Sequence, residues 1–179
     1  MPAFLILYNR KDTFMRYIHC PQCGLKLIEK EIGDEGLIPY CTACERPWFD
    51  VFSTCVIVLV VNEYGEAALL RQAYISHQYH NLVSGFMKPG ENAEYTAARE
   101  VEEELGLKVE KLEPAGTFWY EKKDMLMVAF FAHAKKQDFS LSCEVDTARW
   151  VTMDEALDLV APKGAISRAV IEKYIQQTV

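Results

Sequence analysis

The pattern of apolar and polar positions along the chain alternates between strand-like and helix-like segments. The strongest apolar run covers residues 53–61 and predicts a buried strand, followed by a turn at 62–65 and a returning strand at 66–72. Shorter segments predict further strands at residues 82–86, 108–117, 126–134 and 148–151, and closing helices at 153–160 and 166–177. Strands that alternate with a few helices favour an α/β fold with a mixed sheet between helices.

A further helix is marked at both ends by capping residues. Asn92 can cap its N-terminus and Gly106 can end it, so residues 93–105 are predicted to be helical. One side of this helix is an apolar stripe formed by Ala97, Ala98, Val101 and Leu105. The stripe can pin the helix to a core, which leaves the neighbouring side facing outward or into a cleft.

That neighbouring side carries Glu100, Glu103 and Glu104, which at about 3.6 residues per turn fall within about a third of the helix circumference. Two carboxylates about 5 Å apart, at an effective dielectric near 20, repel each other by roughly 3 kcal/mol. A hard divalent cation would reverse the sign of that interaction, and carboxylates that leave waters on the metal suit Mg²⁺ or Mn²⁺. On the helix alone, a solvated glutamate face is an equally good interpretation.

The loop before the helix favours the metal, because it completes a long spaced pattern. The pattern matches every fixed position of the Nudix box and consists of Gly85, five residues, Glu91, seven residues, Arg99-Glu100-Val101, one residue, Glu103-Glu104, one residue and Gly106-Leu107. The chain therefore resembles the Nudix hydrolases, metal-dependent enzymes that hydrolyse a nucleoside diphosphate linked to another group. The resemblance implies an α/β/α sandwich from about residue 51 to the C-terminus.

The resemblance also implies roles for individual residues. The three helix glutamates would be the Mg²⁺ or Mn²⁺ ligands, Arg99 would orient a glutamate, and Glu91 would be an outer or supplementary ligand. Gly85 and Gly90 would supply the bends of the loop.

Four of the six cysteines form the pattern Cys20-x2-Cys23 and Cys41-x2-Cys44, with seventeen residues between the two pairs. This is the spacing of a structural four-thiolate Zn²⁺ site, with disulfides or redox pairs as the alternatives. About 35 residues bury too little apolar surface to fold alone, so the metal would contribute on the order of 10 kcal/mol. The predicted organisation is an extension at residues 1–15, a zinc ribbon at 16–50 and a Nudix hydrolase domain at 51–179.

The charge balance limits the class of partner. With 19 Lys and Arg against 26 Asp and Glu, the net charge is −7, which argues against a general binder of nucleic-acid backbones. No apolar run has the length of a membrane span, and no basic segment precedes the first apolar patch. We therefore expect a cytoplasmic protein with a small nucleotide substrate, no stable nucleic-acid complex and no membrane partner.

A zinc ribbon directly before a Nudix domain makes the chain similar to the NADH pyrophosphatases, a branch of the family that implies a homodimer. Two C-terminal segments carry the same resemblance, EVDTARW at residues 144–150 and GAISRAVI at residues 164–171. Glu144, six residues before Trp150, corresponds to a family glutamate that reaches the metal site from a loop. A solvated loop carboxylate is the alternative interpretation of Glu144.

One segment departs from that branch, which has Ser-Gln-Pro-Trp after the Nudix box. This chain has Gly-Thr-Phe-Trp-Tyr at residues 116–120. Trp119 and Tyr120 could still stack on a nicotinamide or adenine ring, or they could belong to the core or to a dimer contact. Lys88 could meet a phosphate and is equally well explained as surface charge. The departure leaves the identity of the substrate open.

Together these expectations describe metal-assisted hydrolysis of a pyrophosphate bond. The helix glutamates would hold Mg²⁺ or Mn²⁺ against the diphosphate, and Glu103, Glu104 or Glu144 would take the proton of the attacking water. NADH or NAD would give two mononucleotides, with ADP-ribose, FAD, coenzyme A and capped RNA as alternative substrates. A remoter alternative is a non-catalytic Nudix protein that senses nucleotides or binds nucleic acid.

Overall fold

The computed structural model describes residues 17–178, in which the chain divides into two compact units between Phe52 and Ser53. The extension predicted at residues 1–15 lies outside the described residues. Within the described part of the chain, no helix is both long and apolar enough to cross a membrane.

The first unit is built around a small antiparallel sheet. Its strands are β1 (Ile28–Glu31), β2 (Leu37–Cys41) and β3 (Arg46–Pro47), paired in that order. Every side chain of β1 is exposed, and the buried residues of this unit in the described range are Cys20, Ile38, Pro39 and Cys41. So small an apolar core leaves the cysteines as a large part of what is buried.

The second unit contains a mixed six-stranded sheet. Its strands are β4 (Ser53–Val61), β5 (Ala67–Arg71), β6 (Val83–Phe86), β7 (Lys111–Tyr120), β8 (Met125–His133) and β9 (Thr147–Val151). The order across the sheet is β7-β8-β4-β5-β9, with β6 also paired to β4. Strands β4 and β8 are parallel, and the other pairs are antiparallel.

Helices cover both faces of this sheet. The helices are α1 (Ala93–Leu105), α2 (Met153–Leu159) and α3 (Ile166–Thr178). Strand β4 turns Val56, Val58 and Val60 towards the core under α1, and it turns Ile57 and Leu59 towards the core under α2 and α3. Because a strand alternates its side chains between the two faces, an uninterrupted apolar run is buried on both. The predicted α/β/α sandwich with a mixed sheet is confirmed.

Helix α1 begins and ends at the predicted capping residues. The Asn92 side chain accepts a hydrogen bond from the Tyr95 N–H at 2.8 Å, and Gly106, at φ 68°, donates its N–H to the Glu102 carbonyl. Packing against β6 and β4 then fixes the helix on the sheet. Its acidic side chains consequently lie beside the end of β6.

Candidate functional site

The four clustered cysteines of the first unit come from two turns and the end of β2. Their sulfur atoms all lie within 4.8 Å of one another, with Cys23 and Cys41 at 3.5 Å and Cys20 and Cys44 at 3.9 Å. All four are free thiols, which disfavours the disulfide alternative. A tetrahedral metal with bonds to sulfur of about 2.3 Å places its sulfurs roughly 3.8 Å apart, so the cluster has the dimensions of a four-thiolate metal site.

The thiols of this cluster are electrostatically inequivalent. Although burial acts in the opposite direction, backbone N–H groups at Cys23 and Gln22 lower the pKa of Cys20 to about 6. Hydrogen bonding to Cys23, followed by burial, raises the pKa of Cys44 to about 12. Thiols packed this closely cannot all ionise together unless a cation compensates their charge.

The three glutamates predicted as metal ligands, Glu100, Glu103 and Glu104, differ widely in exposure. The Glu103 side chain is 53% exposed and that of Glu100 13%, whereas Glu104 is only 3% exposed as a residue. Burial raises the pKa of Glu104 to about 7, and it also raises the pKa of Glu100. Glu100 and Glu104 are therefore more deeply buried than the residues of a solvated helix face, whereas Glu103 is exposed.

Gly85 makes room for one of these carboxylates. It lies inside β6, paired with Val56, and a Cβ at this position would overlap the carboxylate of Glu100. The prediction that Gly85 supplies a bend is therefore wrong, because its φ is not in the left-handed region; what position 85 requires is the absence of a side chain. Gly90, with a φ of 90°, does turn the loop before α1.

Arg99 lies among three of the carboxylates. Its guanidinium contacts Glu91 at 3.0 Å, Glu100 at 2.8 Å and Glu103 at 2.7 Å, and it also donates to the Phe86 carbonyl at 3.3 Å. Hydrogen bonding to Arg99 lowers the pKa of Glu91 to about 2. A positive charge thus stands where the carboxylates would otherwise repel one another.

Glu104 is bound from the opposite side by a residue that the sequence analysis did not single out. The Gln72 amide Nε2 donates to Glu104 Oε1 at 2.9 Å, and the nearby Ser84 backbone N–H also favours the ionised carboxylate. Oε2 is buried and makes no hydrogen bond of normal geometry within residues 17–178. A buried carboxylate oxygen without a donor fits a bound cation. The carboxylate oxygens are nevertheless farther apart than the cysteine sulfurs. In the described chain, the four cysteines are the only group of three or more possible metal-ligating residues whose ligand atoms all lie within 4.8 Å of one another.

A cavity of about 550 Å³ contains the predicted loop glutamate. Its lining residues are Ala73, Tyr74, Cys143, Glu144 and Asp146. Asp146 accepts a hydrogen bond from the Ala73 N–H at 2.6 Å and donates its own N–H to the Arg71 carbonyl at 2.9 Å. These two hydrogen bonds fix the loop to the end of β5. Burial is the largest cause of the raised pKa of Glu104, and the charges of Glu100 and Glu144 raise it further.

Two of the predicted substrate-contacting residues, Trp119 and Tyr120, lie away from the glutamates. Trp119 is half-buried near the end of β7 and lines a second cavity, of about 430 Å³, with the Gly164 segment. Tyr120 packs against the core under α2 and α3, which favours the core alternative for this side chain. Lys88 is exposed on the loop before α1 and lies at the site, because its backbone N–H donates to Glu91 Oε2 at 3.0 Å. The structure therefore groups Arg99 with the glutamates but places Trp119 in a cavity separate from that of Glu144.

Two other residues at the site were missed from the sequence. Thr96 is buried and donates its hydroxyl to Glu91 Oε2 at 2.8 Å, and Tyr74 lies on the cavity wall within 3.2 Å of the Gln72 amide. Burial and then the charges of Glu144 and the helix glutamates raise the pKa of Tyr74. The sequence offered one indication of the contact between Tyr74 and Gln72, because Gln72 is a polar residue at the end of an apolar strand.

Comparison with known proteins places this geometry in a family. Residues 52–174 match the NUDIX domain. Among curated proteins, the chain is 32% identical to the NAD-capped RNA hydrolase NudC of Vibrio vulnificus, over 97% of this chain and 66% of that protein. It is also 32% identical to the NudC of Salmonella schwarzengrund, over 75% of this chain and 52% of the relative. The chain spans two thirds or less of these relatives' length.

Solved structures agree on the fold. A NUDIX hydrolase from Nitrosomonas europaea superposes with a TM-score of 0.72 at 22% identity, covering 90% of this chain and 92% of that one. A Caenorhabditis elegans Ap4A hydrolase has a TM-score of 0.58 at 21% identity, over 69% of this chain and 97% of the other. At these identities the likeness supports the architecture alone.

Proposed function

The chain belongs to the Nudix family, and we propose that it hydrolyses the pyrophosphate bond of a dinucleotide such as NADH or NAD, giving two mononucleotides. Membership confirms the predicted Nudix domain, which a cluster of four cysteines precedes in the sequence. The orphaned Oε2 of the buried Glu104 is the observation that carries the metal-dependent mechanism.

The ligands of the catalytic cation would be the helix glutamates. Glu104 offers a buried oxygen with no other partner among the described residues, and Glu100 is held over Gly85 with little exposure. Oxygen donors of this kind suit Mg²⁺ or Mn²⁺, which supplies the charge that neutralises the diphosphate and acidifies the attacking water. Arg99 would keep Glu91 in place as an outer residue while Glu100 and Glu103 turn to the ion.

The proton of the attacking water would be accepted by Glu103, Glu104 or Glu144. Glu104 is bound by Gln72 and enclosed, which suits a ligand better than a proton acceptor. Glu144 is exposed on the wall of the 550 Å³ cavity, where water and substrate have access. We therefore favour Glu144 as the general base, since a base must reach the proton it removes.

The substrate class follows from the relatives and the charge. Proteins described as NAD-capped RNA hydrolases share about a third of the aligned residues, and a cap of this kind contains the same dinucleotide pyrophosphate as free NAD. The net charge of −7 favours the free dinucleotide over a long RNA. Lys88, beside Glu91, would approach the phosphates. Trp119 lines a cavity separate from that of Glu144, so it would stack on a base that extends beyond the Glu144 cavity. A capped RNA end is the second candidate, because the relatives carry that description.

A substrate panel tests this assignment. The full chain is incubated with Mg²⁺ or Mn²⁺ and NADH, NAD, ADP-ribose, FAD, coenzyme A or a NAD-capped RNA, and the released monophosphates are separated by chromatography. We expect NADH or NAD to be cleaved fastest, with AMP and a nicotinamide mononucleotide as products. Tight binding without metal-stimulated cleavage would instead favour a nucleotide sensor.

Replacing Gly85 with alanine should impair the metal site more than the fold. The new Cβ would displace the carboxylate of Glu100, but that carboxylate ends a flexible side chain and can move aside. We expect Mg²⁺-dependent turnover to fall at least tenfold, because displacing a metal ligand has an effect of about this size. The free energy of unfolding should fall by less than about 1 kcal/mol. Steady-state kinetics and urea denaturation measure the two effects.

Ser84→Ala, one residue earlier in β6, is the matched control and should retain activity. In a Glu100→Ala background, Gly85→Ala should cause no further loss, because the overlapping carboxylate is gone. Full activity of the Gly85→Ala single variant would contradict the placement of Glu100.

We propose that the cysteine cluster holds a structural Zn²⁺. Four thiolates at tetrahedral spacing, with no ligand position left for a water, are typical of closed structural sites. The ion would stabilise the small sheet of the first unit, whose buried apolar residues are few in the described range.

A further inference from the structure

Gln72 has an unusual environment for an uncharged polar side chain. It is 0% exposed, and the buried polar or charged residues in the described chain are Asn62, Gln72, Thr96 and Glu104. Two of these four are hydrogen-bonded to each other across 32 residues of sequence, Gln72 Nε2 to Glu104 Oε1 at 2.9 Å. The same Nε2 also donates to the Tyr74 hydroxyl at 3.2 Å, whereas Gln72 Oε1 is buried without a hydrogen-bond partner in the described chain. Because burying an amide is costly, the donor side of Gln72 is what ties this side chain to Glu104.

The backbone around Gln72 is fixed on both sides. The Gln72 carbonyl accepts hydrogen bonds from the Ile75 and Ser76 N–H groups at 2.9 and 3.0 Å. The preceding carbonyl and the following N–H are both bonded to Asp146. The amide therefore projects from a point that cannot easily shift, which is what a residue that orients another one requires.

The chemistry of an amide suits this position. An N–H donor satisfies one oxygen of the Glu104 carboxylate without adding a charge that would compete with a cation. Oε1 is held by Gln72, and Oε2 is left buried without a hydrogen-bond partner in residues 17–178. A lysine or arginine in place of Gln72 would neutralise Glu104 instead of leaving its charge for a ligand.

We propose that Gln72 is a positioning residue of the catalytic metal site, which holds Glu104 by Oε1 so that Oε2 is available to a divalent cation. The proposal rests on the function proposed above, because it assigns Gln72 a role through Glu104. Because its side chain is fully buried, Gln72 itself would contact neither the cation nor the substrate. Its role is the kind played by outer residues that orient metal ligands.

Mn²⁺ binding without substrate tests this role. Free Mn²⁺ is counted by electron paramagnetic resonance in titrations of the full-length wild type, Gln72→Leu, Glu104→Gln and the double variant. Gln72→Leu should weaken Mn²⁺ binding about tenfold or more, because losing an outer partner of a ligand has that effect. Asn62→Leu, which removes a buried amide from the β4–β5 turn, is the matched control and should keep wild-type Mn²⁺ affinity.

The double variant separates orientation from general damage. If Gln72 acts through Glu104, adding Gln72→Leu to Glu104→Gln should leave Mn²⁺ affinity unchanged. Unchanged affinity in the Gln72→Leu single variant, or a further tenfold loss in the double variant, would overturn the proposal and leave the proposed function standing. Wild-type Mn²⁺ affinity in Glu104→Gln would overturn both.

Discussion

Glu104→Gln is expected to reduce Mg²⁺-dependent hydrolysis on the order of a thousandfold in kcat/KM, equivalent to about 4 kcal/mol of transition-state stabilisation. Glutamine keeps the shape of the side chain and can still accept the Gln72 hydrogen bond, but it removes the charge proposed to bind the cation. Steady-state kinetics on the substrate identified by the panel measures the loss.

The same substitution should stabilise the metal-free protein at alkaline pH. Burial raises the pKa of Glu104 to about 7 in the folded state. The folded protein is therefore most stable where Glu104 is protonated, below the pKa of the unfolded chain, and it loses this stability as pH rises through about 7. At pH 8 the ionised carboxylate costs up to roughly 3 kcal/mol. We expect Glu104→Gln to recover about 1–3 kcal/mol at pH 8 and nothing at pH 4.

Urea denaturation in Mg²⁺-free buffer measures this gain in the free energy of unfolding. The buffer contains no chelator, because a chelator would also remove the metal proposed for the cysteine cluster. Glu102→Gln is the matched control, since Glu102 is an exposed glutamate on the same helix. It should change neither activity nor the pH dependence of stability. A Glu104→Gln variant that is fully active would contradict the proposed ligand set.

Removal of the metal from the four cysteines should unfold the first unit. Structural Zn²⁺ contributes apparent binding free energies of about 10–16 kcal/mol in small zinc domains, more than a three-stranded sheet with a minimal core can replace. Cys41→Ser should therefore lose the bound zinc, and amides of β1 and β2 should lose protection in hydrogen-exchange mass spectrometry. Inductively coupled plasma atomic emission spectroscopy measures the zinc content, which we expect to be about one ion per chain in the wild type.

Cys143→Ser is the control, because Cys143 lies outside the cluster and is exposed. Its zinc content should equal that of the wild type. Wild-type zinc content in Cys41→Ser, or unchanged amide protection after the metal is removed, would contradict a structural zinc site.

Much of the fold was predictable because its determinants are local. Asn92 and Gly106 mark the ends of α1 through hydrogen bonds to residues within four positions, so the predicted and observed helices coincide. The apolar run of β4 likewise coincides with the observed strand. Predicted strand boundaries such as 108–117 differ by a few residues from β7 (Lys111–Tyr120), where no cap marks the end.

The site was less predictable, because its contacts join distant segments. The pairing of Gln72 with Glu104 leaves no periodic trace in the sequence, and neither does the overlap of position 85 with Glu100. Helical spacing places Glu103 and Glu104 side by side, yet only the packed structure exposes the first and buries the second. Spacing identified which residue types come together, and tertiary packing determined their burial and partners.

A crystal of the full chain soaked in Mn²⁺ would show whether Glu100, Glu103 and Glu104 of α1 bind a divalent cation. We predict an anomalous peak beside Glu104 Oε2, with Glu100 and Glu103 turned from Arg99 towards the ion. If the contacts from Arg99 to Glu100 and Glu103 persist and no Mn²⁺ lies near Glu104 at saturating concentration, these glutamates are not the ligands of a catalytic cation.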